Sequence, residues 1–207
     1  RAINLAAVWQ VASVVVAQKH LADISKKLGE IKEGVSRISR FLENQRKAKL
    51  LATYDYLGQL HSAIQRGDLP LQARTHLDHC ERDLLHVEHH LFMEFAQTVS
   101  MEVPDSDTFG TQSLATAIGN KIVDLDAIAA DILLCVKARI VALHLLSLFP
   151  GEQGMNDARK AGIENSISKF ATLSSNFQES LTRDISCVKS VWNRRDTLEA
   201  RRNMLHA

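Results

Sequence analysis

Apolar residues recur at alternating spacings of three and four along the first part of the chain. Such spacing places them on one stripe of a helix, as in helices that pack against other helices. The stretch before this stripe, residues 2–18, contains no charged side chain. The pattern therefore predicts a long first helix with an apolar end and a heptad stripe, which comprises Leu21, Ile24, Leu28, Ile31, Val35, Ile38 and Leu42.

Three later segments carry apolar stripes with the same helical period, and prolines and turn residues separate them. Helices are predicted over residues 2–66, 69–99, 113–149 and 156–205. Apolar residues surround the third helix on nearly all sides between Ile132 and Phe149, which is typical of the most buried helix of a bundle. The sequence predicts an all-α fold: an elongated antiparallel bundle of four helices, or five if the first one breaks, in a single module over residues 1–207.

The predicted helix lengths do not match. A straight first helix would extend roughly 95 Å, whereas the second and third would extend roughly 45 to 55 Å. Residues 2–17 would then have no partner helix in the chain. The first helix could break near Gly29 or Gly34 and fold back, or a second copy could pair along the exposed stripe. As a third alternative, the apolar end could enter a bilayer or pack against a segment upstream of Arg1. An upstream segment is considered because the sequence does not begin with methionine.

This geometry predicts that the apolar end and the heptad stripe are a contact surface for a second copy, a partner helix or a membrane. The candidate interface residues are Leu5, Val8, Trp9, Val15, Leu21, Ile24, Leu28, Ile31, Val35 and Ile38.

The chain is nearly neutral overall, but two of its segments carry opposite net charges. The formal net charge of +1 disfavours nucleic acid as a partner. Residues 19–49 contain nine Lys or Arg against four Asp or Glu, a net of +5, and residues 68–107 contain two against nine, a net of −7. The first two predicted helices should therefore attract each other. The three cysteines are far apart in the sequence, which favours a reducing compartment such as the cytoplasm.

Histidines cluster in the second predicted helix. His79, Asp83, His86 and His90 are spaced four, three and four, so they share one stripe. Imidazoles and a carboxylate at this spacing can bind zinc or another divalent ion. Three readings stay open: a solvated face, a divalent metal site, and a switch that responds to mild acid because imidazoles gain charge near pH 6.5.

Catalytic motifs for phosphate binding, dinucleotide binding or a serine nucleophile are absent from the sequence. The apolar N-terminal helix, the long heptad run and the helical remainder resemble the architecture of α-helical pore-forming toxins, which shelter an apolar segment until they meet a membrane. This resemblance implies no functional residues. The sequence predicts a non-enzymatic, self-associating interaction module without a resident cofactor, and a ligand-sensing or metal-sensing bundle is the alternative.

Overall fold

The computed structural model describes residues 21–35, 44–66, 68, 72–103, 112–149 and 153–186. Within these ranges the chain forms five α-helices and no strand. The helices are α1 (Leu21–Val35), α2 (Asn44–Gln65), α3 (Gln72–Ser100), α4 (Gln112–Leu146) and α5 (Gln153–Ser186). The prediction of an all-α fold is confirmed for this part of the chain.

The helices form a bundle around α4. Helices α1, α2, α3 and α4 make a ring of neighbours, α2 and α4 also touch across it, and α5 packs against both α3 and α4. Contacts fix the directions: Lys121 and Arg139 of α4 meet Asp184 and Ser166 of α5, so these helices are antiparallel. The chain thus alternates in direction from helix to helix, as short connections favour.

Helices α1 and α2 fold back on each other. Ser25 Oγ of α1 lies 3.1 Å from His61 Nε2 of α2, although the two residues are 36 positions apart. In one straight helix that separation would be about 54 Å. The prediction of a continuous helix over residues 2–66 is therefore wrong, and the fold-back alternative is correct. Residues 36–43, which connect α1 to α2 in the sequence, lie outside the described residues, and the predicted break points Gly29 and Gly34 both lie inside α1.

Folding back changes the role of the heptad stripe. The side chains of Ile24, Leu28 and Ile31 are 3%, 9% and 0% exposed and belong to the core of the bundle. Because α1 packs these three side chains against α2 and α4 of the same chain, they are not exposed to a second copy or to a membrane. Leu21 and Val35 are the first and last residues of α1. The remaining predicted interface residues, Leu5, Val8, Trp9, Val15 and Ile38, lie outside the described residues.

A glycine sets how closely α1 approaches α4. A Cβ atom on Gly34 would lie 2.7 Å from Leu134 Cδ1, closer than carbon atoms pack. Beside this contact, Glu30 accepts an ion-pair hydrogen bond of 2.8 Å from Lys137. The absence of a side chain at Gly34 therefore lets the end of α1 lie directly on Leu134.

Helix α4 supplies most of the core, as its apolar composition predicts. It contacts each of the other four described helices. Between positions 132 and 146 its buried apolar residues point in every direction around the helix: Ile132, Leu134, Cys135, Val136, Ala138, Ile140, Val141, Ala142, Leu145 and Leu146. The second core cluster lies at the other end of α4, where Lys121 donates hydrogen bonds to Asp184 and to the carbonyl of Met101.

Candidate functional site on helix α3

Helix α3 carries the chain's acidic segment and its histidine cluster, so its faces determine where charged chemistry lies. Its sequence contains five carboxylates and five imidazoles. Helices α2, α4 and α5 all pack against it. The side chains of α3 accordingly divide among a face toward α4 and α5, a face toward α2 and a face toward solvent.

The face toward α4 and α5 holds a buried charge cluster, which we define as Arg139, Glu81, Glu88 and Ser166. Arg139 Nη1 donates to Glu88 Oε2 at 2.9 Å and to Glu88 Oε1 at 3.2 Å. Arg139 Nε donates to Glu81 Oε1 at 2.9 Å. Ser166 Oγ of α5 donates to Glu88 Oε1 at 2.5 Å. All four residues are buried, so three helices are joined by polar contacts within the core.

The cluster contains more negative than positive charge. Two carboxylates face one guanidinium, and Glu81 Oε2 has no hydrogen-bond partner among the described residues. Burial raises the pKa of Glu81, and the attraction of Arg139 only partly offsets it. Burial alone would lower the pKa of Arg139, but Glu81 and Glu88 raise it above its ordinary value. The guanidinium therefore stays charged, and burial makes Glu81 take up a proton more readily than an ordinary glutamate does.

The face toward α2 pairs acidic α3 with basic α2. Lys49 Nζ donates to Asp83 Oδ1 at 2.9 Å. Arg46 Nη1 lies 3.3 Å from His90 Nε2, which acts as the acceptor because a guanidinium only donates. The predicted attraction between the basic and acidic segments is present in the contact between Lys49 and Asp83. The remaining acidic residues of α3 turn elsewhere: Asp78, for example, accepts from Arg159 of α5 at 2.5 Å.

The structure divides the four predicted metal ligands between two directions. Asp83 and His90 face α2, whereas His79 and His86 are exposed to solvent. Among the described residues, no three His, Cys, Asp or Glu side chains converge as a metal ion requires. The geometry of these residues therefore gives the predicted divalent metal site no support.

The solvent face of α3 is distinct in composition, and we define its outer face as His79, Arg82, His86, His89 and Met93. All five residues are exposed, and Met93 is 65% exposed. Arg82 Nη2 lies 2.5 Å from His79 Nδ1. The carboxylates of α3 are directed to its other faces, where Asp78, Glu81, Asp83 and Glu88 meet cations of neighbouring helices and Glu94 lies 3.9 Å from His90.

An open cleft of about 240 Å³ lies between α1 and α4. Its rim carries the Glu30 and Lys137 ion pair, and Leu133 and Leu134 line it together with Gly34. Glu30 and Lys137 pair across the two helices, and the buried carboxylate of Asp131 of α4 also lines the cleft.

None of the described helices combines the length and apolarity needed to cross a bilayer. Comparison of the chain with protein-family models, with curated proteins and with solved structures finds no match. Any statement about function therefore depends on the residues themselves.

Sequence reasoning missed the buried charge cluster. A signal for it was present, since Arg139 is one of few charged residues in a nearly apolar stretch of α4. Glu81 and Glu88 are seven positions apart, which places them on one face of α3. The sequence could not show that this arginine and these carboxylates meet, because 51 and 58 positions separate them along the chain.

Proposed function

We propose that this chain is a non-enzymatic helical interaction module. Its contact segment is the uncharged stretch of residues 2–18, and its partner is apolar: a second copy of the chain or a lipid bilayer. The five described helices act as the scaffold that carries this segment.

One observation supports this assignment most directly. Three side chains of the heptad stripe, Ile24, Leu28 and Ile31, are already buried within the bundle and are at most 9% exposed. These three side chains are therefore not a surface that remains for a partner. The apolar residues of the preceding 17-residue stretch, including Val8, Trp9 and Val15, have no charged neighbour in that stretch. Burying such residues contributes about 1.5 to 3 kcal/mol for each large side chain, which favours association.

The buried charge cluster supports a scaffold role for the bundle. Arg139 bonds to groups on α3 and α5, so separating these helices would leave buried charges unpaired. Breaking such a pair typically costs about 3 to 5 kcal/mol. A bundle held in this way keeps its arrangement when an adjoining segment binds a partner.

Light scattering coupled to size-exclusion chromatography, together with vesicle co-sedimentation, tests this function. In the 207-residue chain, Val8→Asp with Val15→Asp places two charges in the contact segment. Asn4→Ser with Gln10→Ser is the matched control, because it changes two polar residues of the same segment. We expect the aspartate variant to lose self-association or vesicle binding, and the serine variant to retain it.

An unaltered 207-residue chain that is monomeric and does not bind vesicles would contradict the proposed function. An aspartate variant that associates as strongly as the unaltered chain would contradict it as well. Circular dichroism of each variant establishes that the helical content of the bundle is unchanged.

A further inference from the structure

We propose that the buried charge cluster selects one arrangement of helices α3, α4 and α5, and that it does so at a cost in stability. The proposal concerns how the core of the bundle is ordered. It therefore goes beyond the function proposed above and does not depend on it.

The apolar surface of α4 does not specify which side of the helix faces which neighbour. Between Ile132 and Leu146 the buried apolar residues point in every direction around the helix, and all four other described helices pack against α4. A helix with one apolar face has one setting that buries this face. In α4, rotation about the helix axis exchanges one apolar residue for another. Cores of this kind lose a unique arrangement before they lose stability.

Arg139 removes this ambiguity. Its side chain is 3% exposed, and Nε donates to Glu81 whereas Nη1 donates to Glu88. Turning α4 by about half a turn would carry this guanidinium away from both carboxylates. Lys137 lies two positions earlier and points to the opposite side of α4, toward α1, so the same rotation would bring it to α3. A single ammonium group cannot reproduce two donors held apart in one planar group. Only one setting of α4 therefore satisfies both buried carboxylates.

Ser166 extends the selection to a third helix. Its Oγ donates to Glu88 Oε1 at 2.5 Å and lies 3.1 Å from Arg139 Nη1. Both partners of the ion pair between α3 and α4 thus contact α5 at the same hydroxyl group. The cluster fixes the position of α5 relative to a pair that is itself fixed.

Net stability does not account for the cluster. It buries two carboxylates with one guanidinium, and Glu81 Oε2 has no hydrogen-bond partner among the described residues. Removing charged groups from water is repaid only when every group is well paired. Replacing an entire buried ionic cluster by apolar side chains of similar volume is therefore often neutral or stabilising, although removing one partner alone is strongly destabilising. Specification of one arrangement is the role that remains.

A triple variant of the 207-residue chain tests the proposal. Glu81→Met, Glu88→Met and Arg139→Met together replace the charges with flexible apolar side chains. Ser166 keeps an acceptor in this variant, because its Oγ also lies 3.1 Å from the carbonyl oxygen of Gly162. We expect the midpoint of urea denaturation to stay the same or rise. The amide resonances of α3, α4 and α5 in proton–nitrogen NMR spectra should broaden or double, and binding of the dye ANS should increase.

Two control variants make the result specific. Glu81→Met alone keeps the pair between Arg139 and Glu88, so it should retain one sharp set of resonances. Glu30→Met with Lys137→Met replaces a different ion pair of α4 by the same type of residue, at a partly exposed position. It should also retain one sharp set.

Three results would overturn the proposal. If the triple variant keeps one sharp set of resonances, the apolar residues select the arrangement unaided. If the triple variant unfolds or has a lower urea midpoint than the unaltered chain, the cluster is a net source of stability. If the Glu30→Met, Lys137→Met variant loses its single set as well, the effect belongs to ion pairs of α4 in general and not to the buried cluster.

Discussion

Arg139 Nη1 contacts both carboxylate oxygens of Glu88, at 2.9 and 3.2 Å, and the side chain of Glu88 has no exposed surface. The contact joins α4 to α3 in the interior of the bundle. Ser166 of α5 bonds to both partners of this pair. Because Arg139 bonds to Glu81 and Glu88 of α3 and to Ser166 of α5, these contacts constrain how the three helices are aligned along their axes.

Replacing Arg139 should destabilise the bundle strongly. Arg139→Met leaves Glu81 and Glu88 buried without their cation, which we expect to lower the free energy of unfolding by about 3 to 5 kcal/mol. Lys137→Met is the matched control two positions away, because it removes a partly exposed ion pair with Glu30 worth about 1 kcal/mol or less. Urea denaturation followed by circular dichroism measures both. Equal losses in the two variants would show that the buried cluster contributes no more than a surface pair.

Glu81 should make the bundle more stable in mild acid. Because burial raises its pKa above the ordinary 4.5, the folded chain holds a proton on Glu81 at pH values where the unfolded chain has lost it. The free energy of unfolding therefore increases as the pH falls from the raised pKa of Glu81 in the folded state toward its ordinary pKa. It decreases again as the pH rises through the raised pKa. Glu81→Gln should remove this contribution. The test compares urea denaturation of both proteins across that pH range.

A control distinguishes this effect from general acid sensitivity. Lys49→Met removes the partly exposed pair with Asp83 and leaves Glu81 unchanged, so its pH dependence near the Glu81 transition should match that of the unaltered chain. If Glu81→Gln and the unaltered chain show parallel pH profiles, Glu81 does not bind its proton more tightly in the folded state.

His61 should act in the opposite direction. Burial lowers its pKa below the ordinary 6.5, and its side chain is 3% exposed between α1 and α2. As the pH falls through 6.5, the unfolded chain binds a proton at His61 that the folded chain does not bind. The free energy of unfolding therefore decreases until the pH reaches the lower pKa of His61 in the folded state. His61→Gln should therefore flatten the decline in unfolding free energy over this range, measured by denaturation at each pH.

Ser25→Ala serves as the control for His61. It removes the hydroxyl that lies 3.1 Å from His61 Nε2 but keeps the imidazole buried, and burial is the cause of the lowered pKa. The pH dependence should then persist even if stability decreases overall. Loss of the pH dependence in Ser25→Ala would assign the effect to the hydrogen bond instead.

The sequence predicts individual helices better than their arrangement. The all-round apolar composition of Ile132 to Phe149 predicted the most buried helix, and α4 occupies that place. From the sequence, the fold-back after α1 is only one of three alternatives. Apolar residues spaced by three and four continue in the same way whether the helix stays straight or breaks and is followed by a helix in the opposite direction. Only long-range packing, such as that of Ile24 and Leu28 against the rest of the core, decides between them.

For the histidine cluster of α3 as well, the sequence predicts local spacing but not contacts with other helices. Spacing alone placed His79 and His90 on one stripe, but it could not show that α2 lies against one edge of that stripe. Arg46 therefore approaches His90, whereas His79 remains exposed. Likewise, the buried cluster depends on contacts between residues that are distant in sequence, and local patterns contain no information about such pairs.

Two glycines of α1 should respond differently to the same substitution. Nothing lies within 4 Å of a Cβ atom placed on exposed Gly29, so Gly29→Ala should raise the free energy of unfolding by about 0.5 to 1 kcal/mol through helix propensity. At Gly34 the same atom would lie 2.7 Å from Leu134 Cδ1, so the gain is offset by displacement of a buried leucine. Gly34→Leu should destabilise by about 1 to 3 kcal/mol, because a full side chain overpacks the contact between α1 and α4. Thermal and urea denaturation of the three variants provide the measurement. If Gly34→Leu is as stable as Gly29→Ala, α1 does not lie against Leu134 in solution.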